Sequence, residues 1–217
     1  MVLRFNRSIY NDRNYFNADK KMTEKKFFIL IVCIFFILPG LSGCTSEETN
    51  TNSNELSTEK IDLEQVVLKQ QDLPSNFTLL NESYSKKPST QVNQTGNEIT
   101  WYINERYDAT YYDTNSTNGV MQSLLKLDSK NNAMNLTRFS KDNLISYGYS
   151  EETIEPIGDG SYLLYKPFNQ ANSSYTYYTL LFSLDTIFVA LGGSSPNQSD
   201  FIDYATTIEQ RIIDNAS

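Results

Sequence analysis

The feature that most constrains this 217-residue chain is an uninterrupted apolar run, Phe27 to Leu38, which follows the basic cluster Lys20, Lys21, Lys25 and Lys26 and is broken by Pro39-Gly40. At about 12 residues it is short of the roughly 20 that a helix needs to cross a bilayer. A basic flank, a short apolar run and small residues behind the break are the layout of a cleavable secretory signal. The run therefore divides the chain into a leader, residues 1–43, and a mature part that folds outside the cytoplasm. Residues 1 to 21 are polar and mixed in charge and fit no known signal. A start at Met22 gives a signal of ordinary proportions, and the layout predicts Met22 as the true initiator.

Behind the break stand Leu41-Ser42-Gly43-Cys44, followed by the polar Thr45-Ser46-Glu47-Glu48. This resembles bacterial and archaeal lipoprotein precursors, whose pattern of Leu, a small residue, Gly or Ala, then Cys is matched at all four positions. The resemblance implies that Cys44 is lipid-modified on its sulfur, becomes the first mature residue, and holds the protein to the lipid bilayer on its extracytoplasmic side.

Of the two cysteines, Cys33 leaves with the apolar run, so the mature part forms no internal disulfide. Its roughly 170 residues are enough to bury a core without such staples. Seven of the 18 basic and 3 of the 26 acidic side chains precede residue 45, which leaves 11 against 23 and a net charge of about −12. That balance disfavours nucleic acid and anionic headgroups, both of which are recognised through basic patches. Residues 44–60 are almost pure Ser, Thr, Asn and Glu, too poor in apolar surface to offset the entropy of ordering, and are expected to be a flexible tether. Residues 61–217 are expected to form a single domain.

Within that domain Leu63, Val66, Val67 and Gln70 predict a helix over Ile61 to Gln70, stopped before Pro74. A strand is expected at Phe77 to Tyr84, a polar turn-rich stretch at Lys86 to Asn97, and a strand at Ile99 to Tyr112, where Ile99, Trp101 and Ile103 alternate with polar residues. Asp113 to Gly119 reads as a turn and Val120 to Leu127 as a strand. Asn131 to Tyr147 reads as a helix with Gly148 as its stop. Strands follow at Ser161 to Phe168, Tyr175 to Leu184 and Thr186 to Gly192, the last two as a tight hairpin around Asp185. Asp200 to Ile213 closes the chain as an amphipathic helix. Antiparallel strands interrupted by helices predict an α+β domain, its sheet covered by helices on at least one face.

The order of helix, Gly158-Asp159 turn, strand, paired strands ending in Gly192-Gly193, and a final helix ending near Arg211 resembles the sensor-type lipoprotein domains of the Mog1/PsbP-like fold. The resemblance covers Leu127 to Ile213. It implies a small antiparallel sheet flanked by helices, and a binding or accessory role rather than catalysis.

The chain has no histidine, which removes the commonest general base, the Ser-His-Asp and Cys-His arrangements and the commonest transition-metal ligand. Gly192-Gly193-Ser194-Ser195 lacks the Lys and the helix placement of a phosphate loop and reads as a strand-to-helix loop. No cofactor or metal site is predicted. Asp113 to Gly119 has oxygen ligands at alternating positions, but its Gly119 falls one place late for a calcium loop, and Leu124 stands where the bidentate Glu belongs. Carboxylates at Glu98, Glu105, Asp108, Glu151, Glu152 and Glu155 leave two-acid glycoside chemistry open. Tyrosines are plentiful, and Tyr102, Tyr107, Tyr165 and Tyr177 are the candidate binding residues, each offering an apolar face and a hydroxyl. Trp101 reads as core.

Asn-X-Ser/Thr sequons stand at Asn76, Asn81, Asn93, Asn115, Asn135, Asn172, Asn197 and Asn215, more than the composition gives by chance. They are candidate glycosylation sites, and a lipobox with abundant sequons resembles archaeal cell-surface lipoproteins. The expected function is a non-enzymatic, membrane-anchored domain that binds a small solute or an envelope protein. The alternative is a carboxylate-dependent hydrolase of envelope glycans.

Overall fold

A computed structural model of the chain describes residues 57–93, 99–115, 118–170, 173–195 and 197–216. The leader, Cys44, most of the tether, Glu98 and Asn172 lie outside the described residues, and of Asn93 only the backbone is described. The described residues build one antiparallel sheet from β1 (Phe77–Ser85), β2 (Ser89–Asn93), β3 (Ile99–Asp113), β4 (Gly119–Leu127), β5 (Ser150–Glu152), β6 (Gly160–Gln170), β7 (Ser173–Leu184) and β8 (Ile187–Ser194). Their order is β1-β3-β4-β8-β7-β6-β5, with β2 pairing the first part of β3 beside β1. Helices α1 (Leu63–Val66), α2 (Lys130–Ser146) and α3 (Ser199–Asn215) complete the expected α+β fold.

Helices cover both faces, because the strands carry apolar residues in both registers. On one face Leu125, Leu164, Leu181 and Phe188 meet Ala133, Leu136 and Leu144 of α2. On the other, Leu124, Leu180, Val189 and Leu191 meet Leu63 and Val66 of α1 and Phe201, Ala205, Ile208 and Ile212 of α3. Strand β3 serves both layers. Trp101 and Ile103 lie on the α2 face, a register shift follows between Ile103 and Glu105, and Tyr107, Ala109 and Tyr111 then lie on the α1/α3 face. One extra residue in a period-two strand exchanges its faces.

Four expectations need correction. The helix predicted over Ile61 to Gln70 survives only as Leu63–Val66, with a separate 3-10 turn at Gln70–Asp72. Val67 is extended between them, for a reason given below. The polar stretch after Lys86 contains β2, an edge strand whose sequence, Ser-Thr-Gln-Val-Asn, carries no apolar alternation. Gly192 and Gly193 belong to β8 rather than to a loop. A Cβ on Gly193 would lie 1.9 Å from the Gly119 carbonyl oxygen on β4, so the close strand contact, not loop freedom, requires the glycine. The folded body also begins before Ile61, because Thr58 is fully buried against the β7–β8 turn.

Candidate functional site

Residues 58–73 cross the sheet as a strap with little regular structure, so their main-chain groups must find partners elsewhere. The sheet supplies them from side chains. Lys126 Nζ donates to the carbonyls of Glu59 at 2.5 Å and Ile61 at 2.8 Å. Glu105 Oε1 accepts from Leu63 N–H at 2.8 Å. The Gln122 amide pairs with Leu68 as a neighbouring strand would, accepting from its N–H at 2.9 Å and donating to its carbonyl at 2.7 Å. Tyr111 donates to the same carbonyl at 2.9 Å, and Arg211 of α3 donates to Val67 O at 2.6 Å and to both oxygens of Asp72. Two-point pairing at Leu68, between the extended residues Val67 and Lys69, ends the predicted helix early.

A charged cluster fastens the start of the strap. Tyr84 Oη lies 2.5 Å from both Asp62 Oδ1 and Glu105 Oε1, and Lys86 Nζ lies 2.5 Å from Asp62 Oδ2. The hydrogen bond from Lys86, then that from Tyr84, hold the Asp62 carboxyl down at about 2. Burial, followed by these two carboxylates, pushes the Tyr84 phenol far above its ordinary value. Burial likewise pulls the Lys126 ammonium down, opposed by Glu105 4.0 Å away. The oxygens of Asp62 and Glu105 that share one phenol are at most about 5 Å apart, near the roughly 5–5.5 Å of a retaining glycosidase pair. Here Tyr84 fills the gap, and Glu105 is buried under the strap.

Between the strap and β1 opens a cleft of about 510 Å³, lined by Glu64, Gln65, Val67, Lys69 and Gln70 from the strap, Leu79 and Glu82 from β1, and Tyr107 and Tyr111 from β3. At its floor the Tyr107 hydroxyl donates to Glu82 Oε1 at 2.5 Å. Burial, then Glu82, raises the Tyr107 phenol well above its usual value, and burial raises Tyr111 as well. Both phenols stay protonated and are fixed as hydrogen-bond donors. Tyr107 and Tyr111 are 2 and 3 % exposed, so the cleft meets a ligand through its polar rim and the Leu79 side chain rather than by ring stacking.

The four candidate tyrosines do not converge. Tyr107 is in the cleft. Tyr102 is 48 % exposed on β3, away from the cleft lining. Tyr165 is half-buried on β6, paired with Tyr178 of β7. Tyr177 is buried in the α2 layer, edge-on to Tyr149, and Gly192 makes room for its hydroxyl, which a Cβ there would approach to 3.0 Å. Trp101 is core, tilted against Phe139. Among the candidate acids, Asp108 is held by Arg106 and Ser123, Glu151 by Lys141 and Glu152 by Gln198. Asp113 accepts from Asn115 N–H at 2.8 Å, an Asx turn. Asn81, Asn115, Asn135, Asn197 and Asn215 are exposed and Asn76 is half-buried. Thr137, the third residue of the Asn135 sequon, is buried and bonded to Ala133 O.

Sequence reasoning missed the strap's share of the site and missed Glu82. One signal for the strap was present: Val120, Gln122, Leu124 and Lys126 share one face of β4, and two polar residues among core positions ask for buried partners.

No protein-family model matches the sequence, and no curated protein does. The fold is similar to the crystal structure of the extracellular domain of PknH from Mycobacterium tuberculosis, with a TM-score of 0.51 at 10 % identity. The likeness spans 74 % of this chain and 98 % of that one. At such identity it is a likeness of fold. No helix among the described residues is long and apolar enough to cross a membrane.

Proposed function

We propose that the protein is a non-enzymatic cell-surface lipoprotein, anchored through Cys44, whose domain binds a ligand in the cleft between the strap and β1. The carrying observation is the cleft itself, at about 510 Å³ large enough for a small solute, with the Tyr107–Glu82 pair at its floor. Likeness to an extracellular domain favours an extracytoplasmic setting, as do the lipobox and the Mog1/PsbP-like order of elements. The exposed sequons would then be open to glycosylation.

Thermal unfolding of the purified protein against amino acids, saccharides, divalent cations and envelope extract fractions tests the reading. A ligand at a hundred times its Kd adds about 2.7 kcal/mol, and that gain should vanish in Tyr107→Phe/Glu82→Ala. Shifts that survive this double change would place binding elsewhere. Replacing Cys44 by Ser should move the protein from the membrane fraction to the medium; retention would remove the lipid anchor from the proposal.

The hydrolase reading has one observation in its favour, the close Asp62–Glu105 pair. Against it, Tyr84 occupies the place a glycosidic oxygen would need. Glycan cleavage that is lost in Asp62→Asn would reverse the preference.

A further inference from the structure

The strap is bound the way a peptide ligand is bound. Six of its main-chain groups, on Glu59, Ile61, Leu63, Val67 and Leu68, are met by side chains of Lys126, Glu105, Arg211, Gln122 and Tyr111. Glu105, Gln122 and Lys126 are buried polar residues among the apolar side chains of this sheet face, positions that are costly unless polar groups of a covering segment meet them. Leu63, Val66 and Leu68 fill the apolar positions between these bonds and are fully buried. Both ends are clasped, Thr58 by Asp185 and Thr186, Asp72 by Arg211.

We infer that the sheet face carrying Glu105, Tyr111, Gln122 and Lys126 is a groove that binds a partly helical, partly extended polypeptide segment through its main-chain groups, and that residues 58–73 of a second copy of this chain can replace the resident strap. The second copy is the partner because its strap carries the one sequence whose fit to the groove is laid out residue by residue. The strap joins the rest of the domain only through Pro74-Ser75-Asn76. That turn is held by Phe77 N–H on Pro74 O, by Gln70 on Phe77 O, and by Thr114 on Asn76 O. An exchanged pair makes the same strap contacts as two closed copies, so the two forms differ mainly in the turn and in chain entropy. The inference stands apart from the ligand proposed for the cleft.

The test weakens the strap and leaves the groove intact. Leu63→Ala/Leu68→Ala is titrated with a synthetic peptide of residues 57–74, its fold checked by circular dichroism and Trp101 emission. The peptide is expected to bind one to one and raise Tm toward the parent's, a scrambled peptide to do neither, and Gln122→Leu in the same background to weaken binding at least about tenfold. If the double variant does not fold, Leu63→Ala alone takes its place. A folded variant that ignores the peptide, or binding indifferent to Gln122, overturns the groove. For the second copy, the unaltered protein is concentrated after partial unfolding in urea and examined by light scattering, and separate copies carrying pyrene on Ser57→Cys or a quencher on Ser161→Cys are mixed and treated in the same way. Slowly dissociating dimers with quenching between differently labelled copies are expected. Strictly monomeric protein that still binds the peptide would overturn the exchange.

Discussion

The two faces of the sheet are sealed by different physics. Over one lies α2, a 17-residue helix capped by Ser129; over the other lie α3 and the strap, whose regular structure is a four-residue α-helix and a three-residue 3-10 turn. A regular helix satisfies its own backbone, so the sheet beneath α2 is free to be apolar, and a pocket between the helix and the sheet there measures about 70 Å³. The strap leaves its backbone groups open, so the sheet beneath must carry Glu105, Gln122 and Lys126. The more polar seal is also the less complete one, and the large cleft opens along its border.

The largest test of that contrast is on the apolar face. Trp101→Ala removes a buried ring packed on Phe139 and is expected to cost about 3–5 kcal/mol in urea unfolding, with ligand shifts at the cleft unchanged in size. On the strap face Gln122→Leu keeps the volume but leaves Leu68 N–H unpartnered and deprives its carbonyl of one of two donors. A loss of about 1–3 kcal/mol is expected, with faster hydrogen exchange at Leu68 and little change in the strands under α2. Equal acceleration on both faces would mean that the strap has no separate stability and would erase the contrast.

Legibility in the sequence followed the same division. Where burial is a matter of apolar spacing, the reading succeeded: β3, β4, β6 to β8, α2 and α3 lie where their alternation or helical period placed them. Asp185 adopts φ +50° at the predicted hairpin. The strap reads as a longer helix because Leu63, Val66, Val67 and Gln70 do have helical spacing, and no local signal shows that Gln122, 54 residues away, pairs with Leu68. The site inherits this limit. Tyr107 was singled out for its chemistry, yet Tyr102, Tyr165 and Tyr177 have the same chemistry on other surfaces or in the core. Face and depth depend on the register shift after Ile103, which a one-residue change in strand period does not announce.

The start of the strap gives a pH signature that the α2 face lacks. The Asp62 carboxyl lies at about 2 in the folded protein, against 3.8 for the free side chain. A lowered folded value favours the ionised form in the fold, so the contribution is complete above pH 3.8 and disappears as pH falls through about 2. Because Asp62 is partly exposed, about 1 kcal/mol is expected after solvent screening. Urea midpoints measured from pH 7 down to 2 should show Asp62→Asn losing its disadvantage over that acid window. A constant gap between the two proteins down to pH 2 would remove Asp62 from the clasp.

The smallest stability effect separates the cleft from the strap that borders it. Glu82 is exposed on β1 and accepts a hydrogen bond from the Tyr107 hydroxyl. In Glu82→Gln the amide oxygen can still accept that hydrogen bond, so stability should change by no more than about 0.5 kcal/mol. The charge at the cleft floor is gone, however, and a ligand that meets Glu82 through a cationic or hydroxyl group should lose at least about tenfold in affinity. Calorimetric titration beside the unfolding curve distinguishes the two quantities. A loss of stability above about 1 kcal/mol with affinity intact would mean that Glu82 and Tyr107 fasten β1 to β3, and that the cleft is a seam left by an irregular strap rather than a place built for a ligand.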